Sequence, residues 1–285
     1  MDLIVNLGNK KNIDRYKKVG VNHFIVGLKG FNVSSPLELD IDEISDLLKE
    51  DNDINLFVSL DKNIFNSELG DLKNNLFKLS KLNIKAVLFY DLSILNIVRE
   101  NNLSLDLVWN QTHMVTNYNT CNYYYNKGVK YGYISSELTC EEIMEINKNS
   151  SMDFMVFIVG YPSLSHTRRS LLSNFYRVND VKDKEKEILI SERDKKFLIK
   201  ENYTGTTIFG GEIVNGIDFI DKFMESGVSY LVLSDYKMDE DIFIKVLECI
   251  VKYVNNKDLK LLDEVKLLIG NNTHFFNKKT IYKVK

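Results

Sequence analysis

Two histidines, two adjacent arginines and a cluster of serines are the residues of this 285-residue chain that chemistry would use first. His113 lies in WNQTHMVTN, and His166 in GYPSLSHTRRSLLSNF, which runs from Gly160 to Phe175. A Ser163 or Ser165 hydroxyl activated by His166 would be a nucleophile. That chemistry also needs an oxyanion hole, and the GxSxG elbow that would supply one is absent. Zinc needs three or four converging ligands; His113 and His166 offer two across one mouth, and no HExxH spacing offers more. Cys121, Cys140 and Cys249 stand far apart with no CxxC spacing, so they form neither a disulfide framework nor a thiolate metal site, and they suit a reducing compartment. Cys249 falls on an apolar helical stripe and reads as core.

Arg168 and Arg169 suit an anion. A guanidinium keeps its charge and grips carboxylate or phosphate through paired donors. The same donors could instead tie down the loop by pairing with Glu137 or Asp235. Asn110, Gln111, Asn117 and Asn174 could orient a ligand or satisfy loop backbone. His23 opens an apolar strand and His274 lies near the C-terminus, so both read as structural or exposed.

These groups need elements to hold them, and a repeated unit supplies the elements. KKVGVNHFIVG around Gly20, NKGVKYGYIS around Gly128 and ESGVSYLVLS around Gly227 each read as a helix end, a left-handed residue and a strand, and KLNIKAVLFY puts Asn83 in the glycine's place. Repeated αβ turns are the mark of parallel βαβ units. Eight strands follow: DLIVNL, HFIVGL, NLFVSL, AVLFY, DLVWN, YGYIS, DFMVFIVG and YLVLS. Helical stripes fall between them: Leu69, Leu72, Leu76 and Leu79; Phe243, Val246, Leu247, Ile250 and Val254; and a helix opened by a Thr139–Glu142 capping box. The pattern predicts an α/β fold, a (β/α)8 TIM-like barrel, with a doubly wound open sheet as the alternative, although no GxGxxG opens a helix after any strand. Between the seventh and eighth strands, about 178–207, a charged and then alternating stretch predicts a β-hairpin insertion. The barrel is expected to occupy residues 1–257 as one domain, with a C-terminal helix and basic tail over 258–285. In such a barrel the loops after the strands carry function, and WNQTHMVTN and GYPSLSHTRRS are two of them.

Composition narrows the field. A chain that is 44% hydrophobic and 27% charged can bury a sizeable core. Its net charge of −3 gives no basic surplus for nucleic acid, so any phosphate contact must come from local cations such as Arg168, Arg169 and Arg177, or the tail lysines Lys278, Lys279, Lys283 and Lys285. No apolar run approaches the roughly 18 residues of a membrane helix, and the N-terminus lacks a signal-peptide pattern, so the expected setting is cytoplasmic, with no membrane partner.

GYPSLSHTRRSLLSNF resembles the signature region of the peptidase U32 family, the collagenase-like group that also includes prephenate-dependent tRNA uridine hydroxylation proteins. WNQTHMVTNYNTCNYYYNKGVKYGYISSELTCEEI resembles the family's central stretch through Gln111, Thr116, Asn117 and Glu137–Leu138. SERDKKFLIKENYTGTTIF and GIDFIDKFMESGVSYLVLS extend the likeness, which covers most of Leu3 to Lys237. It is greatest to the shorter branch, found as paired copies and implicated in making 5-hydroxyuridine at the tRNA wobble position. The resemblance implies substrate-binding residues Asn110, Gln111, His113, Thr116, Asn117, Glu137, His166, Arg168, Arg169 and Asn174. Leu171 and Leu172 would pack beneath the signature loop.

The chain departs from the family at chemical positions. Members with an iron–sulfur cluster place two of four cysteines in the signature; here those positions are Ser163 and Ser170, and no cluster is expected. An arginine before Glu137 is Ser136, the Asn/Lys–Asp pair after the hairpin is replaced around Gly210–Ile213, and a lysine and an acid of the last strand are Val232 and Ser234. The resemblance therefore implies a component or partner subunit of wobble-uridine 5-hydroxylation. Tail and arginines would contact tRNA or a carboxylate co-substrate such as prephenate, beside a U32 paralogue. A collagenase-like peptidase, or an inactive barrel serving as a scaffold, are the other readings.

Overall fold

The computed structural model describes residues 1–111, 113–182, 184–192 and 195–278; Thr112, Lys279, Lys283 and Lys285 lie outside them. Seven strands come in order from the N-terminus: β1 (Asp2–Asn6), β2 (His23–Leu28), β3 (Asn55–Leu60), β4 (Ala86–Phe89), β5 (Leu107–Trp109), β6 (Tyr131–Tyr133) and β7 (Asp153–Gly160). Four more, β8 (Ser163–Thr167), β9 (Glu187–Glu192), β10 (Lys195–Asn202) and β11 (Gly205–Gly210), precede the last barrel strand, β12 (Tyr230–Ser234), and two-residue strands at Glu38–Leu39 and Val214–Asn215 are left unnumbered. β1 to β7 and β12 pair in parallel with their neighbours, and β1 pairs with both β2 and β12, so the sheet closes. Closure excludes an open doubly wound sheet. All eight expected strands are in the barrel.

Burial on both faces is why these strands read as continuous apolar runs. One set of alternate residues, including Ile4, Ile25, Phe57, Leu88, Val108 and Met155, fills the barrel interior. The other set, including Val5, Phe24, Val26, Leu56, Val58 and Val87, packs outward on the helices. Helices α1 (Ile13–Val19), α2 (Ile41–Glu50), α4 (Leu92–Glu100) and α8 (Ile220–Ser226) are among those around the barrel, and α3 (Leu69–Leu79) buries Leu72, Leu76 and Leu79 fully, but Leu69, at its first turn, stays partly exposed. α6 (Cys140–Asn149) opens with the expected capping box, in which the Glu142 amide donates to Thr139 Oγ1 and the Thr139 amide donates to Glu142 Oε2. α9 (Glu240–Asn256) buries Phe243, Val246, Leu247 and Ile250; Cys249 is buried with them, and Val254 is only half-buried.

Gly20, Gly128 and Gly227 all take the left-handed conformation that the repeat demands. Asn83 does not. The turn after α3 closes instead through amides of Ser80, Lys81 and Leu82 donating to Leu76, Lys78 and Leu79 carbonyls, which needs no positive φ. The seam between β1 and β12 is fastened by Asp235, which accepts from the Gly8 amide and from the Tyr16 hydroxyl at 2.8 Å.

The insertion is larger than a hairpin. β9 and β10 form the expected hairpin, β11 adds a third strand through the Asn202–Gly205 turn, and β8, from the signature region, completes an antiparallel sheet in the order β9-β10-β11-β8. The signature region is therefore strand and helix, with α7 (Leu171–Val178) following β8. Leu172 is buried as expected, whereas Leu171 is exposed. The sheet lies over the barrel mouth, where Leu198 and Phe209 pack on Tyr236. The excursion leaves and rejoins the barrel at neighbouring points, since the Gly210 amide donates to the Pro162 carbonyl at 2.9 Å. Beyond α9, α10 (Leu259–Ile269) buries Leu262, Val265 and Ile269, and Phe276 stacks among Phe219 and Phe223. Among the described residues no helix is long and apolar enough to cross a membrane.

Candidate binding cavity at the barrel mouth

Side chains two apart on a strand share a face. Ile4 therefore leads to Asn6 inside the barrel, Phe57 to Ser59 and Asp61, Val108 to Asn110, and Val232 to Ser234. The interior changes from apolar at its base to polar at the C-terminal strand ends. A cavity of ≈ 280 Å³ opens there, its floor lined by Asn6, Asp61, Asn110, Tyr133 and Ser234 and its roof by Ser163 to His166 and Phe209 from the inserted sheet. Gly27 makes room for the wall: a Cβ there would stand 2.3 Å from Asn32 Cγ, and Asn32 pins the Phe31–Pro36 loop by donating to the Ser35 carbonyl and accepting from the Ser35 amide.

Asp61 accepts from the Val33 amide at 2.7 Å, the Ser34 amide at 3.2 Å and the Ser34 hydroxyl. Burial raises its pKa above the ordinary carboxylate range while those donors oppose the rise. Burial, and then the charge of Asp61, raise the Tyr133 hydroxyl, which stays a donor. His166 Nδ1 lies 3.0 Å from Thr207 Oγ1, whose own hydrogen goes to the Val33 carbonyl at 3.2 Å. Thr207 must then accept from His166, which places the imidazole proton on Nδ1 and leaves Nε2 a bare acceptor. Burial, followed by the nearby charges of Arg168 and Lys62, lowers the His166 pKa and keeps the ring neutral. His166 Nε2, Asn110 Oδ1 and Asn6 Oδ1 are buried without a hydrogen-bond partner.

Of the residues expected to bind substrate, the cavity gathers Asn110, His113 and His166. Glu137 stands at the rim with an oxygen 3.4 Å from His113 Nδ1. Gln111 is spent within its loop, accepting from the Trp109 indole at 2.9 Å and donating to the Tyr90 carbonyl at 2.6 Å. Asn117 caps α5 (Tyr118–Tyr125) through the Thr120 amide, Thr116 is exposed, and Asn174 accepts from Arg177 outside the mouth. Arg168 pairs with Glu68, not with Glu137 or Asp235, donating to it at 3.2 and 3.4 Å, and its guanidinium lies 3.7 Å from the Phe65 ring centre. Burial alone would raise Glu68, but Lys62 at 2.6 Å, the Phe65 amide and Arg168 together hold it at about 2. The Arg169 guanidinium is exposed and has no partner among the described residues. Neither arginine lines the cavity, and none of its lining residues is Lys or Arg. Asn6, Asp61, Tyr133 and Ser234 were legible only as ends of strands; the two-residue period was the signal that selects them.

Residues 8–262 match the model of peptidase family U32. The chain belongs to this family. A curated relative, tRNA hydroxylation protein P2 of Bacillus subtilis (strain 168), is 25% identical over 289 residues, spanning 93% of this chain and 94% of the relative. Among solved structures, 3-hexulose-6-phosphate synthase superposes with a TM-score of 0.47 at 9% identity over 88% of this chain and 99% of its own. A GH18 chitinase of Cycas revoluta gives 0.39 at 7% identity over 93% and 99%.

Against the U32 pattern, the substituted positions have distinct fates. Ser163 and Ser136 line the cavity with Ser234, so three positions where the resemblance led us to expect a thiol or a charge are hydroxyls here. Ser170 stands at the start of α7, exposed. Cys121, Cys140 and Cys249 are buried on three separate helices, and serine is a poor ligand for iron, so this donor set does not fit an iron–sulfur cluster. Among the described residues no three of His, Cys, Asp and Glu converge as metal ligands. No hydrogen bond joins Ser163 or Ser165 to His166, whose Nδ1 is held by Thr207.

Proposed function

We propose that this U32 chain works in tRNA hydroxylation, as a component that shares the task with a U32 paralogue. The observation that carries the reading is the match to tRNA hydroxylation protein P2 along nearly the whole of both chains. A relation of that extent includes barrel, insertion and mouth together. The cavity supports it by offering hydrogen-bonding groups and aromatic walls with neither a bound nucleophile nor a metal-ligand set among the described residues. The peptidase reading lacks such support, because neither Ser163 nor Ser165 is hydrogen-bonded to His166, whose Nε2 is without a partner.

The test is genetic and chemical. Deleting the gene in its native host should lower wobble 5-hydroxyuridine and its derivatives in digested tRNA, measured by liquid chromatography and mass spectrometry, and the wild-type gene should restore them. Unchanged nucleosides in the deletion strain would refute the function. Tagged chain from the same host should co-purify with a second U32 protein; recovery of the chain alone would remove the partner from the proposal.

A further inference from the structure

Leu171 faces solvent together with two other residues of α7. At 100° per residue, Leu171, Phe175 and Val178 fall within a stripe of about 60° around the helix axis. They are 41%, 56% and 76% exposed. Leu172 and Tyr176, the next positions round, are buried and hold the helix down. The stripe is therefore surplus to the packing of α7. A single exposed apolar residue needs no explanation, but three in register on one helix face mark a surface that a partner covers.

The inserted sheet extends this surface. Glu201 accepts from the Ser173 amide at 3.1 Å and from Lys186 at 2.6 Å, so α7 lies over the sheet face that carries Glu201. By alternation and register that face also carries Ile199 and Ile190. Ile190 is 39% exposed. Its strand, β9, pairs only with β10 among the described residues, which leaves one edge of main-chain donors and acceptors open.

Charge decides what kind of surface covers the patch. Arg169 precedes the helix, and Arg177 borders the stripe on the side away from Leu172; both are exposed and have no ion-pair partner among the described residues. α7 itself carries no carboxylate, and the loop after it alternates in sign from Lys182 to Glu185 and cancels itself. A second copy of this chain, packed patch to patch, would set arginines against arginines. Leu171 and Val178 offer nothing to an RNA backbone and are covered only by another apolar surface. An aromatic anchor with flanking arginines is the make-up of a protein interface. The site also sits close to the cavity, because α7 follows directly on β8, whose Ser163 to His166 form the cavity roof.

We propose that the α7 stripe and the open edge of β9 seat a second protein chain whose apolar surface is rimmed by carboxylates. On the tRNA-hydroxylation reading, on which this choice of partner rests, that chain is the U32 paralogue.

Affinity capture of the tagged chain from its native host, with mass spectrometry of what it recovers, tests the surface. Wild type should recover a second U32 chain, and so should Leu267→Glu, which charges an exposed leucine on α10 outside the patch. Phe175→Glu and Val178→Glu should each recover at least tenfold less of it, with melting temperature and tRNA retention on filters unchanged. The purified chain alone should have a monomer's mass by light scattering. The proposal is overturned if either folded variant keeps the wild-type yield, or if wild type recovers no U32 chain. It is overturned equally if the chain alone is a dimer that Phe175→Glu dissociates, or if the variants lose tRNA and keep the second chain. Failure of the tRNA reading looks different: gene deletion would leave tRNA hydroxylation unchanged while Phe175→Glu still released the second chain.

Discussion

Replacing Arg168 with alanine separates an anchor from a ligand. In the structure Arg168 donates to Glu68 and to the Asn63 carbonyl at 3.3 Å, and it stacks on Phe65. Its side chain and that of Glu68 are 31% and 23% exposed, so the ion pair is partly screened and contributes about 1 kcal/mol. The ring contact adds roughly 0.5–1 kcal/mol and the carbonyl bond about as much. Lys62 still neutralises Glu68 in the variant, so no bare charge is left behind. Arg168→Ala should therefore destabilise the chain by about 2 kcal/mol, a fall of roughly 5 °C in melting temperature for a domain of this size. Arg169→Ala, which removes an exposed guanidinium, should change stability by less than about 0.5 kcal/mol. Urea unfolding of the two variants beside wild type measures both. The anchor assignment is refuted if Arg168→Ala unfolds with the wild-type midpoint and instead loses tRNA affinity in a filter-binding assay.

Other consequences follow from the seam, the wall and a helix cap. Burial pushes Asp235 up to about 6 despite hydrogen bonds from Tyr16 and Gly8, while the unfolded carboxyl ionises near 3.8, so the folded state binds the extra proton between these values. Stability should fall on the order of 2 kcal/mol as pH rises from 4 to 7, and Asp235→Asn should flatten that slope in urea titrations across pH; an unchanged slope would remove Asp235 as its source. Gly27→Ala drives a methyl into Asn32 and should cost about 1–3 kcal/mol, visible as a lower urea midpoint. Thr139→Ala removes the capping box of α6 and should cost about 1 kcal/mol by the same measurement.

The barrel was readable because its information is local. Apolar runs and left-handed glycines recur unit by unit, and each βαβ step uses only its own residues. Asn83 misled because hydrogen bonds within the turn after α3 satisfied the helix end without a left-handed residue. The site was less readable because its decisive contacts are distant. Arg168 finds Glu68 a hundred positions away, and Thr207 fixes the tautomer of His166 from the neighbouring strand, 41 positions along the chain. Polar alternation in SLSHT is weak evidence for a strand until β11 lies beside it. The floor was accessible in principle: following every second residue to the end of each strand selects Asn6, Asp61, Asn110 and Ser234 without a structure.

The inserted sheet begins and ends at one doorway, where Pro162 and Gly210 share a hydrogen bond. A segment whose chain enters and leaves at one place, and which otherwise touches its host through side chains such as Arg168 on Glu68 and Thr207 on the Val33 carbonyl, can be exchanged with little redrawing of the rest, as a tool bit is changed in a fixed handle. The barrel below supplies the floor, while Ser163 to His166 and Phe209 supply the ceiling. Descent within the family could thus revise what the mouth accepts by rewriting the ceiling alone, leaving the eight-stranded foundation under no new strain. A chimaera carrying a relative's segment between residues 163 and 209, with Arg168 and Thr207 retained to keep their contacts with Glu68 and Val33, should keep this barrel's melting behaviour and acquire that relative's ligand preference.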